Sequence, residues 1–413
     1  MSDRRVYAPE VETEQEAWIV SIAREAGEIS KQELARRTGL GRSALTARLR
    51  SLLERNVIEE VGVGESNGGR PPVLVRFAKD AGYLVGVDLG ATSLDVAVTN
   101  LNAEPLVHLA QEIDIREGPE AVLAATEQRV RQALGEAQVD SRQVKGIGIG
   151  VPGPVEFRTG RPVSPPIMPG WHLFPIRDHI EARFGWPVFV DNDVNVMALG
   201  EQWAGHGRAE PNFFFVKIGT GIGCGIVCQG RIYRGEAGCA GDIGHIAVGD
   251  STTVCRCGNL GCLEAIAGGF ALGRAAEEMA REGRSPGLAR RLREKGSLTA
   301  ADVGAVLGEG DPAVTELVRE AGATIGRVLA SLVNFFNPSR IVIGGGVAKI
   351  GDLLLASIRE TVYRRSLPLA TRDLIISSSA LGDRAGVIGA AAIVLGELYR
   401  LLPPSALPVA GAR

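Results

Sequence analysis

Four side chains that commonly bind metals stand close together in the second half of the sequence. They are His245, Cys255, Cys257 and Cys262, in the pattern H-x9-C-x-C-x4-C. Glycines between the cysteines allow the chain to wrap tightly around an ion. Three thiolates and one imidazole favour tetrahedral Zn²⁺, and four protein ligands leave no open position for catalysis. The pattern therefore predicts a structural zinc site, and the alternative is a set of free, buried thiols.

A second group of polar residues follows an apolar run. Val188 to Asp193 predicts a strand with a polar end, followed by a helix from Val194 to Trp203. An aspartate at such a strand end can act as a base toward a sugar hydroxyl, as in phosphoryl transfer. The alternative for Asp191 is a structural or helix-capping acid. Three further polar candidates occur downstream: Asp242, His245 and Glu264. They favour ligand binding, because polyol recognition needs several donors and acceptors.

Three apolar strands, each followed by glycines, are predicted at similar intervals, beginning near Leu84, Phe213 and Ile341. The first ends in a D-x-G-x-T turn before a second strand from Leu94 to Thr99, and such a turn can serve Mg²⁺ and phosphate or be a plain hairpin turn. Free amides in glycine loops suit phosphate oxygens. Together the three units predict a duplicated fold that binds a nucleotide. The candidate nucleotide-binding residues are Asp88, Gly90, Thr92, Gly219, Thr220, Gly221, Gly223, Gly345 and Gly346.

Residues 1–80 have a different, charge-dense character and predict three helices. Periodicity and end signals place them at Glu14 to Ala26, Lys31 to Thr38 and Arg42 to Arg55. Ser30 and Glu33 form a capping-box pattern at the start of the second helix. Leucines at helical spacing give the third helix one buried face.

A β-hairpin follows, predicted from Val57 to Val63 and Val73 to Phe77. Three helices and a hairpin wing in this order are typical of a winged helix-turn-helix that binds DNA, with a protein–protein module as the alternative. Seven basic residues against two acidic ones between Ile29 and Arg55 support DNA. The candidate DNA contacts are Arg42, Ser43, Thr46 and Arg50 on the third helix and Arg70 in the wing.

The bulk properties of the 413-residue chain are those of a globular protein with two or three domains. The net charge of −3 means that any nucleic-acid surface must be local. No signal peptide and no membrane span are evident, so we expect a cytoplasmic protein with reduced thiols. We expect a DNA-binding domain at 1–80 and an α/β domain at 81–413, with lobes at roughly 84–205 and 206–413.

These motifs together resemble the ROK family of repressors and sugar kinases, over nearly the whole chain. The most specific parts are Gly241 to His245 with the cysteine run to Glu264, and Leu332 to Pro338 leading into Ile341 to Val347. The Gly68 to Pro71 wing resembles the regulator branch of the family. The resemblance implies an actin-like, hexokinase-type domain of two lobes after the winged helix. It also implies zinc on the four ligands named above.

The resemblance implies that Asn192, Asp193, Asp242, His245 and Glu264 contact sugar hydroxyls, with Asp193 as the base in kinases. This chain departs from the family pattern at three places. Asp242 replaces the glutamate of G-E-I-G-H, Ile167 replaces the asparagine of P-N-L-P-G-W, and Gly90 to Ser93 replaces G-G-T-K. We expect these changes to affect turnover more than binding.

We therefore expect a regulator, a repressor or an activator, that binds operator DNA as a homodimer or homotetramer. A sugar or sugar phosphate would act as effector by closing a cleft near Asp193 and His245. The main alternative is an ATP- and Mg²⁺-dependent sugar kinase that carries a DNA-binding domain. A third is a zinc-stabilised interaction protein that binds neither sugar nor nucleotide.

Overall fold

The computed structural model describes residue 7, residues 9–64 and residues 71–407. The chain forms two compact units. The first unit runs to Ala204 and also contains residues 229–231 and the chain from Arg384 onward. The second unit comprises residues 205–228 and 232–383.

The N-terminal elements of the first unit form a winged helix. In order they are α1 (Glu14–Ala26), β1 (Ile29–Ser30), α2 (Lys31–Thr38), α3 (Arg42–Glu54), β2 (Ile58–Val63) and β3 (Val73–Phe77). The strands form an antiparallel sheet in the order β1-β3-β2. The three predicted helices and the hairpin are confirmed. As the leucine spacing predicted, Leu45, Leu49 and Leu52 are buried and hold α3 against the core.

The capping box predicted at α2 is only half formed. The Ser30 hydroxyl accepts a hydrogen bond from the Glu33 amide at 3.1 Å, as expected. The Glu33 carboxylate does not reach back, because it pairs instead with the Arg36 guanidinium at 2.6 Å. Gly39 ends the helix in the left-handed conformation, with φ of 70°.

An α/β layer follows in the first unit. Its elements are β4 (Tyr83–Leu89), β5 (Ser93–Asn100), β6 (Pro105–Glu112), α4 (Pro119–Glu136), β7 (Val144–Val151), β8 (Val155–Glu156), β9 (Arg161–Pro162), α5 (Ile176–Phe184), β10 (Val188–Asn192) and α6 (Asp193–Ala204). The main sheet has the order β10-β7-β4-β5-β6. β5 runs antiparallel to β4. On the other side of β4, β7 is parallel to β4, and β10 is parallel to β7.

The second unit repeats this topology. Its elements are β11 (Phe213–Ile218), β12 (Ile222–Cys228), β13 (Arg231–Ile232), α7 (Leu263–Ala267), α8 (Gly269–Arg281), α9 (Pro286–Lys295), α10 (Ala300–Gly308), α11 (Pro312–Phe336), β14 (Arg340–Gly344), α12 (Asp352–Arg365), α13 (Pro368–Thr371) and β15 (Ile375–Ser378). Arg231, the first residue of β13, is grouped with the first unit. The sheet order is β13-β12-β11-β14-β15. β11 therefore corresponds to β4, with an antiparallel strand on one side and parallel β14 and β15 on the other. The duplicated fold predicted from the glycine-punctuated strands is present.

The last helix, α14 (Arg384–Leu398), belongs to the first unit. The predicted second lobe of 206–413 is therefore wrong at its C-terminal end, where the second unit stops at Asp383. The physical reason is that α14 is apolar on nearly all sides and packs against β4, β7 and α6. Neither α14 nor any other helix in the described ranges is long and apolar enough to cross a membrane.

Candidate functional site

The four predicted metal ligands converge in the second unit. His245 lies at the end of a 3₁₀ turn, and the cysteines occupy the loop that leads into α7. Their ligand atoms all lie within 4.8 Å of one another. The Cys255 and Cys262 side chains are buried, so an ion held here would be shielded from water.

The spacing of these atoms suits a tetrahedral ion. The Sγ atoms of Cys257 and Cys262 are 3.7 Å apart, and Cys255 Sγ is 3.7 Å from His245 Nδ1. A Zn–S bond of 2.3 Å predicts edges of about 3.8 Å between sulfurs and about 3.6 Å between sulfur and nitrogen. Burial and the Glu264 carboxylate raise the pKa of the Cys255 thiol to about 12. A cation would remove that penalty on the thiolate.

Glu264 connects this cluster with the glycine loop after β11. Its Oε1 is 3.4 Å from Cys255 Sγ and 3.8 Å from His245 Nδ1. Its Oε2 fills the space where a side chain at Gly221 would begin, only 2.5 Å from the ideal Cβ position. Glu264 is half-buried between the metal ligands and the loop, so a ligand that contacts it also touches the loop. Asp242, in contrast, is exposed at the start of the His245 turn.

The glycine loop itself is shorter than the sequence suggested. β12 begins at Ile222, so only Gly219, Thr220 and Gly221 form the loop. Gly223 is paired with Lys217 in the strand, and its assignment as a loop residue is wrong. The carbonyl of Gly219 accepts a hydrogen bond from the Gly269 amide at 2.8 Å, which places the start of α8 against the loop.

The second glycine turn, after β14, lies beside the first. Gly345 has φ of 90°, and a Cβ there would come within 2.5 Å of the Ile218 carbonyl. Only glycine fits this close approach. Gly346 is exposed at the start of the following 3₁₀ turn. The structure thus brings the loop residues of the second unit, apart from Gly223, to the carboxyl ends of the parallel strands β11 and β14, a usual place for ligands in α/β sheets.

The first unit places two aspartates at the corresponding strand ends. Asp88 is buried near the end of β4, and Asp193 is buried at the first turn of α6. Both flank Gly150 of β7, whose ideal Cβ would lie 3.0 Å from Asp88 Oδ1 and 3.3 Å from Asp193 Cα. Sequence reasoning missed Gly150, since it is one of several glycines in an apolar strand. Gly386 was missed too: any side chain there would overlap the Asp88 carboxylate.

The hairpin between β4 and β5 carries the other two residues of the D-x-G-x-T pattern. The Gly90 amide donates a hydrogen bond to the Ser93 carbonyl at 2.7 Å, as in a plain turn. Thr92 is exposed beside it. This turn geometry accounts for Gly90 without a ligand, while the buried position of Asp88 is not required by the turn.

Asn192 and Asp191 organise the start of α6. Asn192 donates through Nδ2 to the Gly153 carbonyl at 3.0 Å and accepts the Val194 amide on Oδ1 at 3.0 Å. Asp191 is almost fully buried, and its Oδ1 accepts a hydrogen bond from Asn195 Nδ2 at 3.1 Å. The structural interpretation of Asp191 is therefore supported. Asn192 retains one amide hydrogen for a ligand.

The candidate DNA face lies on α3. Ser43, Thr46 and Arg50 are exposed on the side away from the buried leucines, and Arg42 is exposed at the start of the helix. The Thr46 hydroxyl donates back to the Arg42 carbonyl at 2.8 Å. Arg70, the predicted wing contact, lies outside the described residues.

Comparisons with known proteins agree with this two-part architecture. Residues 84–397 match the model of the ROK family, and residues 19–59 match a model described as winged helix-turn-helix DNA-binding. A xylose repressor of Caldicellulosiruptor bescii is 30% identical over 370 residues, which cover 90% of this chain and 92% of the relative. A glucokinase of Halalkalibacterium halodurans is 35% identical over 308 residues, which cover 74% of this chain and 93% of the kinase.

Solved structures give the same division. A ROK family transcriptional regulator described as a homologue of the E. coli MLC protein matches with a TM-score of 0.80 and 28% identity, over 96% of this chain and 97% of that one. A ROK family glucokinase from Streptomyces griseus, in complex with glucose and AMPPNP, matches with a TM-score of 0.67 and 30% identity. It covers 76% of this chain and 99% of its own.

Proposed function

The chain belongs to the ROK family, and on that basis we propose that it is a DNA-binding transcriptional repressor that responds to a sugar. One observation carries the proposal: a winged helix with an exposed polar face on α3 precedes the family domain in the same chain. The xylose repressor matches 90% of this chain, whereas the glucokinase matches 74%. The repressor comparison thus accounts for more of the chain.

The DNA would be bound by α3 in the major groove. Arg42 and Arg50 provide guanidinium groups that can pair with guanine edges or phosphates, and Ser43 and Thr46 are small enough to let the helix approach. Arg70 of the wing would contact the backbone or minor groove. Two or four copies of the chain would present paired winged helices to two half-sites.

The effector would be a sugar, and the relatives named for xylose and glucose make these the first to test. Within the second unit, Asp242, His245 and Glu264 offer carboxylate and imidazole groups for hydroxyls. Within the first unit, Asp193 offers a carboxylate and Asn192 one amide hydrogen. A sugar changes DNA affinity only through its differential affinity for two states of the protein.

We also propose a structural zinc ion on His245, Cys255, Cys257 and Cys262. The geometric fit described above supports it, and four protein ligands leave the ion no open position. The ion would fix the loop that carries His245, and with it the position of Glu264. We also propose a domain boundary near residue 80 and a cytoplasmic location.

The test uses the full-length protein and duplexes selected from genomic fragments by the protein itself. Binding is measured by fluorescence anisotropy with and without xylose, glucose and their phosphorylated and N-acetylated relatives. Arg42→Ala and Arg50→Ala should each weaken binding by about 5- to 150-fold, corresponding to 1–3 kcal/mol per base contact. Arg319→Ala, an exposed arginine on α11 that pairs with Glu316, should not.

Two results would contradict the proposal. One is the absence of any duplex enriched over random sequence. The other is an affinity for the selected duplex that no sugar changes. Asp193→Asn should bind the duplex normally but lose the sugar response, so an unchanged response in that variant would remove Asp193 from the site.

A second candidate function is sugar phosphorylation, favoured by the pairing of Asp88 and Asp193 around Gly150. Within the second unit, the glycine loops offer amides to the phosphates of ATP, and within the first unit Asp88 offers a carboxylate to Mg²⁺. Asp193 would take the proton from the sugar hydroxyl. Sugar-dependent release of ADP from Mg-ATP, lost in Asp193→Asn, would establish this activity. If no ADP is released, the repressor function is the one that remains.

A further inference from the structure

The winged helix is fastened to the rest of the first unit by a joint of three side chains. Arg24, in the last turn of α1, lies with its guanidinium 3.6 Å from the centre of the Trp203 ring. Arg24 Nε donates to Asn102 Oδ1 at 2.6 Å, and Trp203 Nε1 donates to the Asn102 carbonyl at 3.0 Å. The three side chains come from α1, the turn after β5 and the end of α6. We call them the Arg24 joint.

A second set of contacts joins the winged helix to the end of α14. The Leu398 carbonyl accepts a hydrogen bond from the Glu10 amide at 2.7 Å. Arg400 donates to the Glu12 carbonyl at 2.9 Å, and the Leu402 amide donates to the Ser21 hydroxyl at 3.0 Å. The chain just before α1, and α1 itself, therefore contact both α6 and the segment that follows α14.

The helices α6 and α14 are packed too closely to move independently. A side chain at Gly200 of α6 would overlap the Ala385 carbonyl, and one at Gly389 of α14 would overlap the Val196 carbonyl. The helices therefore meet backbone to backbone over about one turn of each, between residues 196–200 of α6 and 385–389 of α14. Well-packed interfaces of this kind have a few discrete arrangements and do not deform continuously.

The other ends of the same two helices lie at the candidate ligand residues. α6 begins at Asp193, and the first turn of α14 contacts the Asp88 carboxylate through Gly386. Ten residues of helix separate Asp193 from Trp203, or about 15 Å. One rigid pair of helices thus reaches from the aspartates to the winged helix.

We propose that α6 and α14 move as one body that transmits ligand binding at Asp193 and Asp88 to the winged helix, and that the Arg24 joint is the positioning contact through which α6 acts. This regulatory role rests on the proposed function. The cation over the indole and the bridging amide hold α1 at a defined angle on α6. When the joint is removed, sugar and DNA can both still bind, and only the weaker coupling through the contacts at the end of α14 remains.

The experiment measures coupling separately from binding. Full-length wild type, Arg24→Ala and Asn102→Ala are titrated with the selected duplex, with and without the sugar that acts on the wild type. Coupling between sites typically changes affinity by about 5- to 150-fold. We expect that ratio in the wild type and a ratio below about 2-fold in both variants. Arg142→Ala, an exposed arginine paired with Asp140, is the control and should retain the wild-type ratio.

Sugar affinity and thermal unfolding, measured on the same variants, separate coupling from general damage. A merely structural role for Arg24 would lower the unfolding midpoint and leave the coupling ratio intact, which would overturn the proposal. Arg24→Lys keeps the charge but loses the planar stack and the Nε bond, so it should restore little of the ratio.

A second measurement keeps this proposal distinguishable from the proposed function. Coupling is reciprocal, so duplex binding alone must slow amide hydrogen exchange in α6 and α14 of the wild type, and not in Arg24→Ala. If no sugar changes the duplex affinity of the wild type, the sugar-responsive function fails, while the exchange comparison still decides the joint. Equal protection of α6 in wild type and Arg24→Ala would overturn it.

Discussion

Replacing Glu16 by glutamine should loosen α3 from α1. Glu16 is 2% exposed, and its Oε1 accepts a hydrogen bond from Arg55 Nη2 at 2.7 Å. Arg55 directly follows α3, so this contact holds the end of the candidate recognition helix. The other carboxylate oxygen accepts the amides of Glu12 and Thr13 at 3.0 and 3.4 Å. Glutamine keeps an oxygen for the amides but removes the charge opposite Arg55.

The magnitude follows from the burial of the two partners. Removing one member of a buried ion pair costs roughly 3–5 kcal/mol. The Arg55 side chain is 24% exposed and also donates to the Glu10 carbonyl and Ser51 hydroxyl, so water and these oxygens compensate part of the loss. We expect the local free energy of opening of α3 to fall by about 2 kcal/mol. That decrease corresponds to about 30-fold faster amide exchange.

The assay is hydrogen exchange of peptides from α3 in the full-length protein at neutral pH. Glu33→Gln provides a matched control, because Glu33 pairs with Arg36 at the similar distance of 2.6 Å but on the surface. An exposed pair contributes little, so its loss should leave exchange in α3 unchanged. Equal exchange rates in the two variants would refute the assignment of this stability to the buried pair.

The same pair predicts a dependence on pH. Burial alone would raise the pKa of Glu16, but hydrogen bonds from Arg55 and from the Glu12 and Thr13 amides hold it below the ordinary value of 4.5. A lowered carboxyl pKa means that the folded state favours the ionised form. The stabilisation is therefore complete above pH 4.5 and is lost as pH falls through the lowered value. Glu16→Gln should lack this acid-sensitive part of the exchange profile.

Three further outcomes follow from the geometry. Gly389→Ala should destabilise the first unit by about 3 kcal/mol or more, because its Cβ overlaps an α6 carbonyl. Gly396→Ala in the same helix meets open space and should stabilise the protein by about 0.5–1 kcal/mol. Hydrogen exchange in α14 measures both effects. Cys257→Ser should abolish stoichiometric zinc in elemental analysis, whereas Cys228→Ser, in β12, should retain it. Gly221→Ala should weaken sugar affinity by about tenfold in calorimetry, because its Cβ displaces Glu264, with unchanged duplex affinity in the absence of sugar.

The winged helix and the metal cluster could be predicted because their signals are local. The Ser30 hydroxyl, the left-handed Gly39 and the leucine spacing of α3 each act within a few residues. The four metal ligands likewise fall within one short stretch. The residue types and their spacing were enough to predict that the four side chains lie together.

Long-range packing could not be predicted in the same way. α14 contacts strands β4 and β7, which lie about 300 and 240 residues earlier, and no local period records such partners. Its glycines at 386 and 389 resemble ordinary residues of an alanine-rich helix, although they contact Asp88 and α6. The stacking of Arg24 on Trp203 was hidden for the same reason. In each case the constraint is steric and appears only when distant segments meet.

The placement of α14 also sets an order of events during synthesis. The sheet of the first unit is complete in sequence by Asn192, yet one of the helices that covers it is made last, after the whole second unit. At about 5–20 residues per second, translation of the chain between Ala204 and Leu398 takes about 10–40 s. Throughout that interval the nascent chain exposes the apolar faces of β4 and β7 that α14 later covers, and the winged helix lacks its anchor at Leu398. A prematurely terminated chain would therefore carry a DNA-reading module on an unfinished lobe, a species that depends on chaperones and is a ready substrate for proteases.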